Sequence, residues 1–129
     1  MKRKYLDDVG VSERWWTWYK EKPTMKERQA IRTYGFGHRE CFSLDQTFYL
    51  WLYERLMMYM NDASGVVDLE YHTFEFEDEK YTQRQLIDRM LDDLRFIFSE
   101  DYNDTDPEHY KREREIAQIW AVVLPAMWW

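Results

Sequence analysis

The sequence predicts a mainly α-helical fold, a compact bundle of about three main helices. In three segments, apolar residues recur at three- and four-residue spacings, which is the pattern of a helix with one buried face. These segments span roughly 44–62, 83–98 and 107–124. Residues that commonly cap helices stand at the start of each one. The chain has 129 residues, which is the size of a single domain spanning 1–129 with a core of its own.

The segment 1–35 is predicted to hold short helices. Ser12 is placed to cap a first helix, which Pro23 interrupts. Thr24 and Glu27 form the capping-box pattern of a second short helix. This second helix should end before Gly35, where a glycine-containing connector follows.

The segment 44–62 is predicted to be the central helix. Ser43 and Gln46 match a capping box at its start, and Gly65 can take the left-handed conformation that ends many helices. One expected stripe consists of Leu44, Phe48, Trp51, Leu52, Leu56 and Tyr59. Further apolar residues cover much of the opposite side. A helix that is apolar nearly all round is usually buried.

Residues 66–78 favour either a short β-hairpin or an extended loop, because apolar residues alternate there with polar ones. The helix at 83–98 is the clearest element, with Thr82 and Gln85 as its capping box. On its solvent side, Arg84 and Asp88 are expected to pair, as are Arg89 and Asp93. The last helix should begin at Asp106-Pro107 and be kinked or ended by Pro125.

Charge is unevenly distributed along the chain. The net charge is −7, but residues 1–35 contain nine basic and five acidic residues, so this aromatic-rich segment carries +4 and the remainder −11. An acidic body disfavours direct nucleic-acid binding. Cys41 is the single cysteine, which suits a reducing cytoplasm. The longest apolar stretch, 48–60, is too short to span a bilayer, so no membrane association is expected.

No catalytic or metal-binding motif is recognisable in the sequence. His38, Glu40, Cys41 and His72 lack the paired spacing of a structural zinc site. The acidic loop from 100 to 106 lacks the glycine and glutamate that a calcium-binding EF-hand loop requires. The sequence therefore predicts a protein that is not an enzyme and that holds no metal or cofactor.

The candidate binding residues form an aromatic cluster flanked by cations. They are Arg14, Trp15, Trp16, Trp18 and Tyr19, with Arg39 as a further cation that would converge on the same pocket to bind the phosphate of a nucleotide. Three indoles within four residues cannot all face one side of a helix, so three interpretations remain open: core packing, a protein interface, or stacking against a nucleotide. The terminal Trp128 and Trp129 raise the same question and favour docking into the core or a homodimer seam.

The stretch from Gly37 to Asp45 has a glycine, a short polar run, an aromatic residue, and then Leu-Asp opening a helix. Together with the charged amphipathic helix at 82–98 and the tryptophan-terminated helix at 116–129, it resembles small uncharacterised bacteriophage-encoded proteins. The resemblance implies a phage or prophage origin. It transfers no site residue to this chain.

The leading functional hypothesis is a phage-type, non-enzymatic inhibitor that binds a host protein, with an anti-defence role of the anti-CRISPR type. Its acidic face could imitate DNA phosphates toward a basic site. One alternative is a sponge that sequesters a nucleotide immune signal. Another is a structural or assembly accessory of the phage particle.

Overall fold

The computed structural model describes residues 2–99 and 105–127. Its architecture is mainly helical, as the sequence predicts. The α-helices are α1 Lys4–Val9, α2 Met25–Tyr34, α3 Leu44–Ala63, α4 Gln83–Phe98 and α5 Pro107–Val123. Three 3₁₀ helices lie at Glu13–Trp18, His38–Cys41 and Leu124–Ala126. An antiparallel pair of strands, β1 Thr73–Phe76 and β2 Glu79–Thr82, precedes α4.

The packing of α4 against α5 is the most extensive between any two elements of the described chain. Helix α4 begins at Thr82, whose hydroxyl accepts a hydrogen bond from Gln85 N, while the Gln85 side chain accepts one from Thr82 N. Helix α5 begins at Asp106, whose carboxylate accepts from Glu108 N. Both predicted starts are therefore confirmed. The predicted end is also confirmed, because α5 gives way to a 3₁₀ turn containing Pro125.

One cluster of buried side chains runs through the fold, from Leu6 in α1 to Val123 in α5. Helix α4 contributes the largest share, with Leu86, Ile87, Met90, Leu91, Leu94, Ile97 and Phe98. These are the positions that the apolar spacing predicts to be internal.

The first 35 residues depart from the prediction. Helix α1 was not expected, and the segment after Ser12 is a 3₁₀ helix rather than an α-helix. Ser12 is buried, and its hydroxyl makes no capping bond; instead its backbone N–H donates to Phe98 O at 2.9 Å. The second helix, α2, is confirmed, with Thr24 Oγ1 accepting from Glu27 N and Gly35 in the left-handed conformation.

Both predicted caps of α3 are wrong. Ser43 has a φ of 48°, and its hydroxyl makes no capping bond. At the other end, the helix stops at Ala63 and Gly65 does not take a positive φ. The Val66 and Val67 amides close this end by donating to Ala63 O.

The predicted apolar stripe of α3 is partly wrong as well. Tyr49, Leu50, Leu52, Tyr53, Leu56 and Ala63 are buried. Leu44, Trp51 and Met58 are exposed. Helix α3 thus packs one face into the core and leaves apolar side chains on another.

The ambiguous region contains a β-hairpin, which occupies Thr73–Thr82 and so ends later than the predicted 66–78. Phe76 pairs with Glu79, which leaves Glu77 and Asp78 as a two-residue turn. Both turn residues have positive φ, 53° and 64°, as hairpin turns of the I′ type require. No helix of the described chain is both long and apolar enough to cross a membrane.

Candidate functional site

An open cleft of about 820 Å³ lies between the N-terminal segment, α2 and α3. We call it the N-terminal cleft. Its lining residues include Lys2, Arg3, Lys4, Tyr5, Trp18, Tyr19, Glu21, Glu27, Ile31, Gly37, Arg39, Glu40, Leu50, Trp51, Glu54, Arg55 and Met58. A concavity of this size is within the usual range for ligand sites.

The structure divides the predicted aromatic cluster. Trp15 belongs to the core: it is 1% exposed, and its ring meets Phe98 edge-on at 5.0 Å. Trp16 is half-buried outside the cleft lining, with its Nε1 donating to Val11 O and Lys20 Nζ 4.0 Å above its ring. The core interpretation therefore holds for the first indole of the cluster.

Two aromatic residues of the predicted cluster, Trp18 and Tyr19, do line the N-terminal cleft. Trp18 Nε1 donates to Phe42 O at 2.9 Å, which fixes its indole across the connector between α2 and α3. Arg14 is exposed on the 3₁₀ helix and does not line the cleft.

Arg39 lines the cleft, but its guanidinium has a structural role. Nη1 donates to the carbonyls of Thr17 and Glu21, and Nη2 donates to that of Lys22, at 3.0 to 3.2 Å. These bonds hold the chain after the first 3₁₀ helix. The proposed use of Arg39 as a free phosphate-binding cation conflicts with this engagement.

The floor of the cleft is an ion pair that the sequence does not reveal. Arg3 Nε donates to Glu54 Oε2 at 2.8 Å, and Arg3 Nη2 makes a second bond to Glu54 Oε1. This two-point pairing joins the N-terminus to α3, and the hydrogen bond to Glu54 raises the pKa of Arg3 above its usual value. The residues are 51 positions apart, so no local spacing could have indicated the pair.

An exposed stripe of α3 forms one wall. Trp51, Arg55 and Met58 follow one another at four- and three-residue spacing, so they lie on the same face of the helix. The guanidinium of Arg55 lies 4.7 Å from the Trp51 ring centre, in cation–π geometry. Trp51 is 42% exposed and Met58 54%. Ile31 of α2, 44% exposed, also lines the cleft.

A second polar cluster lies at the packed interface of α4 and α5, which we call the α4–α5 seam. The expected pairs within α4 are wrong: Arg89 binds Glu77 of the hairpin turn and Glu115 of α5, and Arg84 binds Glu70. Asp93 instead accepts from Arg112 Nη1 at 3.1 Å. Each arginine thus joins different elements rather than adjacent turns of one helix.

Asp93 also overturns the expectation that the carboxylates of α4 lie on the solvent side. It is 3% exposed, and its Oδ2 is buried without a hydrogen-bonding donor. Burial, together with the neighbouring Glu115, raises the pKa of Asp93 to about 8 despite Arg112. Although burial acts the other way on Glu115, hydrogen bonding to Asp93 and Arg89 lowers its pKa. The two pKa shifts are opposite in direction, so Asp93 is the carboxyl group of this pair that favours the protonated form.

The residues considered for metal binding do not assemble. Among the residues 2–99 and 105–127, no group of three or more His, Cys, Asp or Glu side chains could hold a metal ion. Cys41 is exposed and unpaired by any disulfide. The predicted roles of Trp128, Trp129 and most of the acidic loop fall on residues outside those that the structure describes.

Comparison of the chain with protein-family models, curated proteins and solved structures gave no match.

Proposed function

We propose that this protein is a non-catalytic, phage-type inhibitor that captures a host protein in the bacterial cytoplasm through its N-terminal cleft. The observation that carries the proposal is the exposed stripe of Trp51, Arg55 and Met58 on an otherwise core-forming helix. Aromatic residues, methionine and arginine are the side chains enriched in protein interfaces.

Packing within the chain covers this stripe only in part. Helix α3 packs one apolar face into the core, and Trp51 stacks on Phe48 at 6.1 Å, yet Trp51 and Met58 remain 42% and 54% exposed. An indole and a thioether that remain in contact with water lose free energy relative to burial, about 25 cal/mol per Å². A partner that covers them would recover it, together with the stacked Arg55.

Affinity capture tests the proposal. The wild-type protein and the double variant Trp51→Ala/Met58→Ala would be immobilised and exposed to the same bacterial lysate. The control is Val66→Ala/Tyr71→Ala, which removes two apolar side chains that are more exposed, 67% and 77%, from the loop before β1. We expect a protein retained by the wild type and the control to be lost from the cleft variant. A retained set that is identical for all three would contradict the proposal.

A nucleotide sponge is the second candidate, favoured by the presence of Trp18, Tyr19 and Trp51 in one cleft with Arg55. Bases stack on such rings, and cations bind phosphates. Native mass spectrometry of protein purified gently from bacteria separates the two candidates. A bound mass of a few hundred daltons that disappears in Trp51→Ala would favour the sponge, and a bound protein would favour the inhibitor.

A further inference from the structure

The charges around the N-terminal cleft indicate which kind of partner it would accept. The lining contains carboxylates and cations in similar numbers. What distinguishes them is whether their hydrogen-bonding capacity is already used within the protein. Only groups that remain available in the cleft can select a ligand.

The carboxylates of the cleft are engaged internally. Glu54 binds Arg3, and Glu40 Oε2 accepts from Gly37 N at 2.7 Å. Glu27 Oε2 accepts from Arg39 N at 3.3 Å and lies so close to Gly37 that a Cβ there would come within 2.2 Å of it. The last, Glu21, accepts from the Thr17 hydroxyl at 3.4 Å, but its side chain is 62% exposed. Glu27, Glu40 and Glu54 therefore serve to hold the cleft together, whereas Glu21 remains accessible.

The cations fall into two groups. Arg3 and Arg39 are engaged in the floor and the connector, by Glu54 and by backbone carbonyls. Lys2, Lys4 and Arg55 are exposed. Arg55 also donates to Trp51 O at 3.3 Å and lies 3.8 Å from Glu54 Oε1, but its side chain remains 56% exposed. The pairing of Lys4 with Asp8 joins two side chains that are 77% and 62% exposed, and an ion pair of this kind is easily exchanged for another. The charge left available to a ligand is therefore positive.

We infer that the N-terminal cleft binds an acidic peptide segment of a protein partner, anchored by at least one large apolar side chain. The exposed Trp51 and Met58, together with Ile31 of the same lining, would take the apolar anchor, while Lys2, Lys4 and Arg55 would bind the acidic groups beside it. The inference rests on the proposed function and names the class of partner segment.

Charge complementarity also raises the question of a second copy of the chain as occupant. Residues 66–82 contain six acidic residues and one basic residue, a net charge of −5, and the hairpin turn exposes Glu77 and Asp78. However, the hairpin's own apolar residue Phe76 is buried against its own core, and Glu77 is bound to Arg89. The hairpin therefore has no free apolar anchor at its tip, which favours a foreign segment over the hairpin. The exposed Val66 and Tyr71 lie in the loop before β1, and the oligomeric state tests whether a second copy binds through that loop.

Selection from a random 12-residue peptide library displayed on phage would test this inference. The selected peptides would then be measured by fluorescence anisotropy against the wild type and against Lys2→Glu/Arg55→Glu. The control variant is Lys80→Glu/Lys111→Glu, which reverses two exposed lysines on β2 and α5. We expect acidic peptides with an aromatic or long aliphatic residue, whose affinity falls about tenfold or more in the cleft variant and changes less than about twofold in the control.

The outcomes are distinct. Neutral or basic peptides whose affinity falls in Trp51→Ala would show that the cleft binds peptides but does not select acidic ones. This result would overturn the acidic class of partner segment and leave the proposed function standing. Peptides that bind equally to the cleft variant, or the absence of any enriched peptide, would overturn the inference that the cleft is a peptide site. A dimer in native mass spectrometry that Asp78→Lys/Glu79→Lys or Asp68→Lys/Glu70→Lys dissociates would overturn it in favour of a second copy.

Discussion

The N-terminal cleft and the α4–α5 seam use the same residue types in opposite ways. In the seam, charged side chains lie within apolar packing, and Arg89 and Arg112 each bind carboxylates of other elements. In the cleft, large apolar side chains stay exposed and cations remain available. Charges enclosed between helices contribute to one specific packing, whereas apolar groups left in water are available to a partner. The seam therefore serves stability, and the cleft is the surface for which we propose recognition.

The largest expected effect is a loss of folding stability at one of two adjacent indoles in the first 3₁₀ helix. Trp15→Ala removes a fully buried indole that packs against Phe98, and should lower the free energy of unfolding by about 3–5 kcal/mol. The matched substitution Trp16→Ala, at a half-buried indole beside it, should cost about 1–2 kcal/mol. Urea denaturation followed by circular dichroism measures both. Equal losses would show that the two indoles do not differ as the structure indicates.

The seam should make stability depend on pH. Asp93 is raised to a pKa of about 8 in the folded protein, while an unfolded aspartate titrates near 3.9. Between these values the folded state binds more protons than the unfolded state, so this group's contribution to stability is full below about pH 4 and declines as pH rises toward 8. The decline between pH 5 and 8 should be about 3.5 kcal/mol, because each pH unit below the folded pKa corresponds to about 1.4 kcal/mol. Glu115, with a lowered pKa, acts oppositely and only at more acidic pH.

Asp93→Asn isolates that contribution, because an amide keeps the shape and cannot titrate. Its unfolding free energy should vary less with pH between 5 and 8 than that of the wild type, measured by urea denaturation at each pH. Asp92→Asn, at the exposed neighbouring carboxylate, is the control and should leave the wild-type slope intact. If the unfolding free energy of wild type and Asp93→Asn varied with the same slope against pH, a group other than Asp93 would be responsible for the pH dependence.

Helical spacing and capping residues predicted most of the fold, because both act within a few positions along the chain. The starts of α4 and α5 follow from Thr82 and Asp106 in this way. The cap at Ser43 could not be predicted, since the preceding connector holds that residue at positive φ. Tertiary contacts override a local preference there.

The candidate site was less predictable for the same physical reason. Proximity along the chain suggested that Trp15 and Trp18 act together, yet one is in the core and the other lines the cleft. The sequence suggested that Arg39 is an available cation, but in the folded chain its guanidinium donates to three backbone carbonyls. Trp51 was assigned to the core because α3 is apolar on several faces, and sequence periodicity does not say which of these faces a domain covers.

A moderate effect should separate recognition from stability within α3. Trp51→Ala should change the free energy of unfolding by less than about 1.5 kcal/mol, because the indole is 42% exposed. By contrast, Leu52→Ala, one position along at a fully buried site, should cost about 2–5 kcal/mol. Affinity for a captured partner or selected peptide should fall about tenfold or more in Trp51→Ala. A large stability loss in Trp51→Ala would assign this residue to the core instead.

The smallest expected effect lies at the hairpin, which the bonds of Arg89 to Glu77 and Glu115 join to the seam. Asp78 has a φ of 64°, a conformation that glycine adopts without the steric cost borne by other residues. Asp78→Gly should therefore stabilise the protein by about 0.5 kcal/mol, partly offset by the greater freedom of glycine in the unfolded chain.

Gly35→Ala is the converse change, since φ is 88° at Gly35 and no atom lies within 4 Å of the added carbon. It should destabilise by about 1 kcal/mol through backbone conformation alone. Both changes are measurable as shifts of the thermal midpoint in opposite directions; a destabilised Asp78→Gly would mean that the aspartate side chain itself supports the turn.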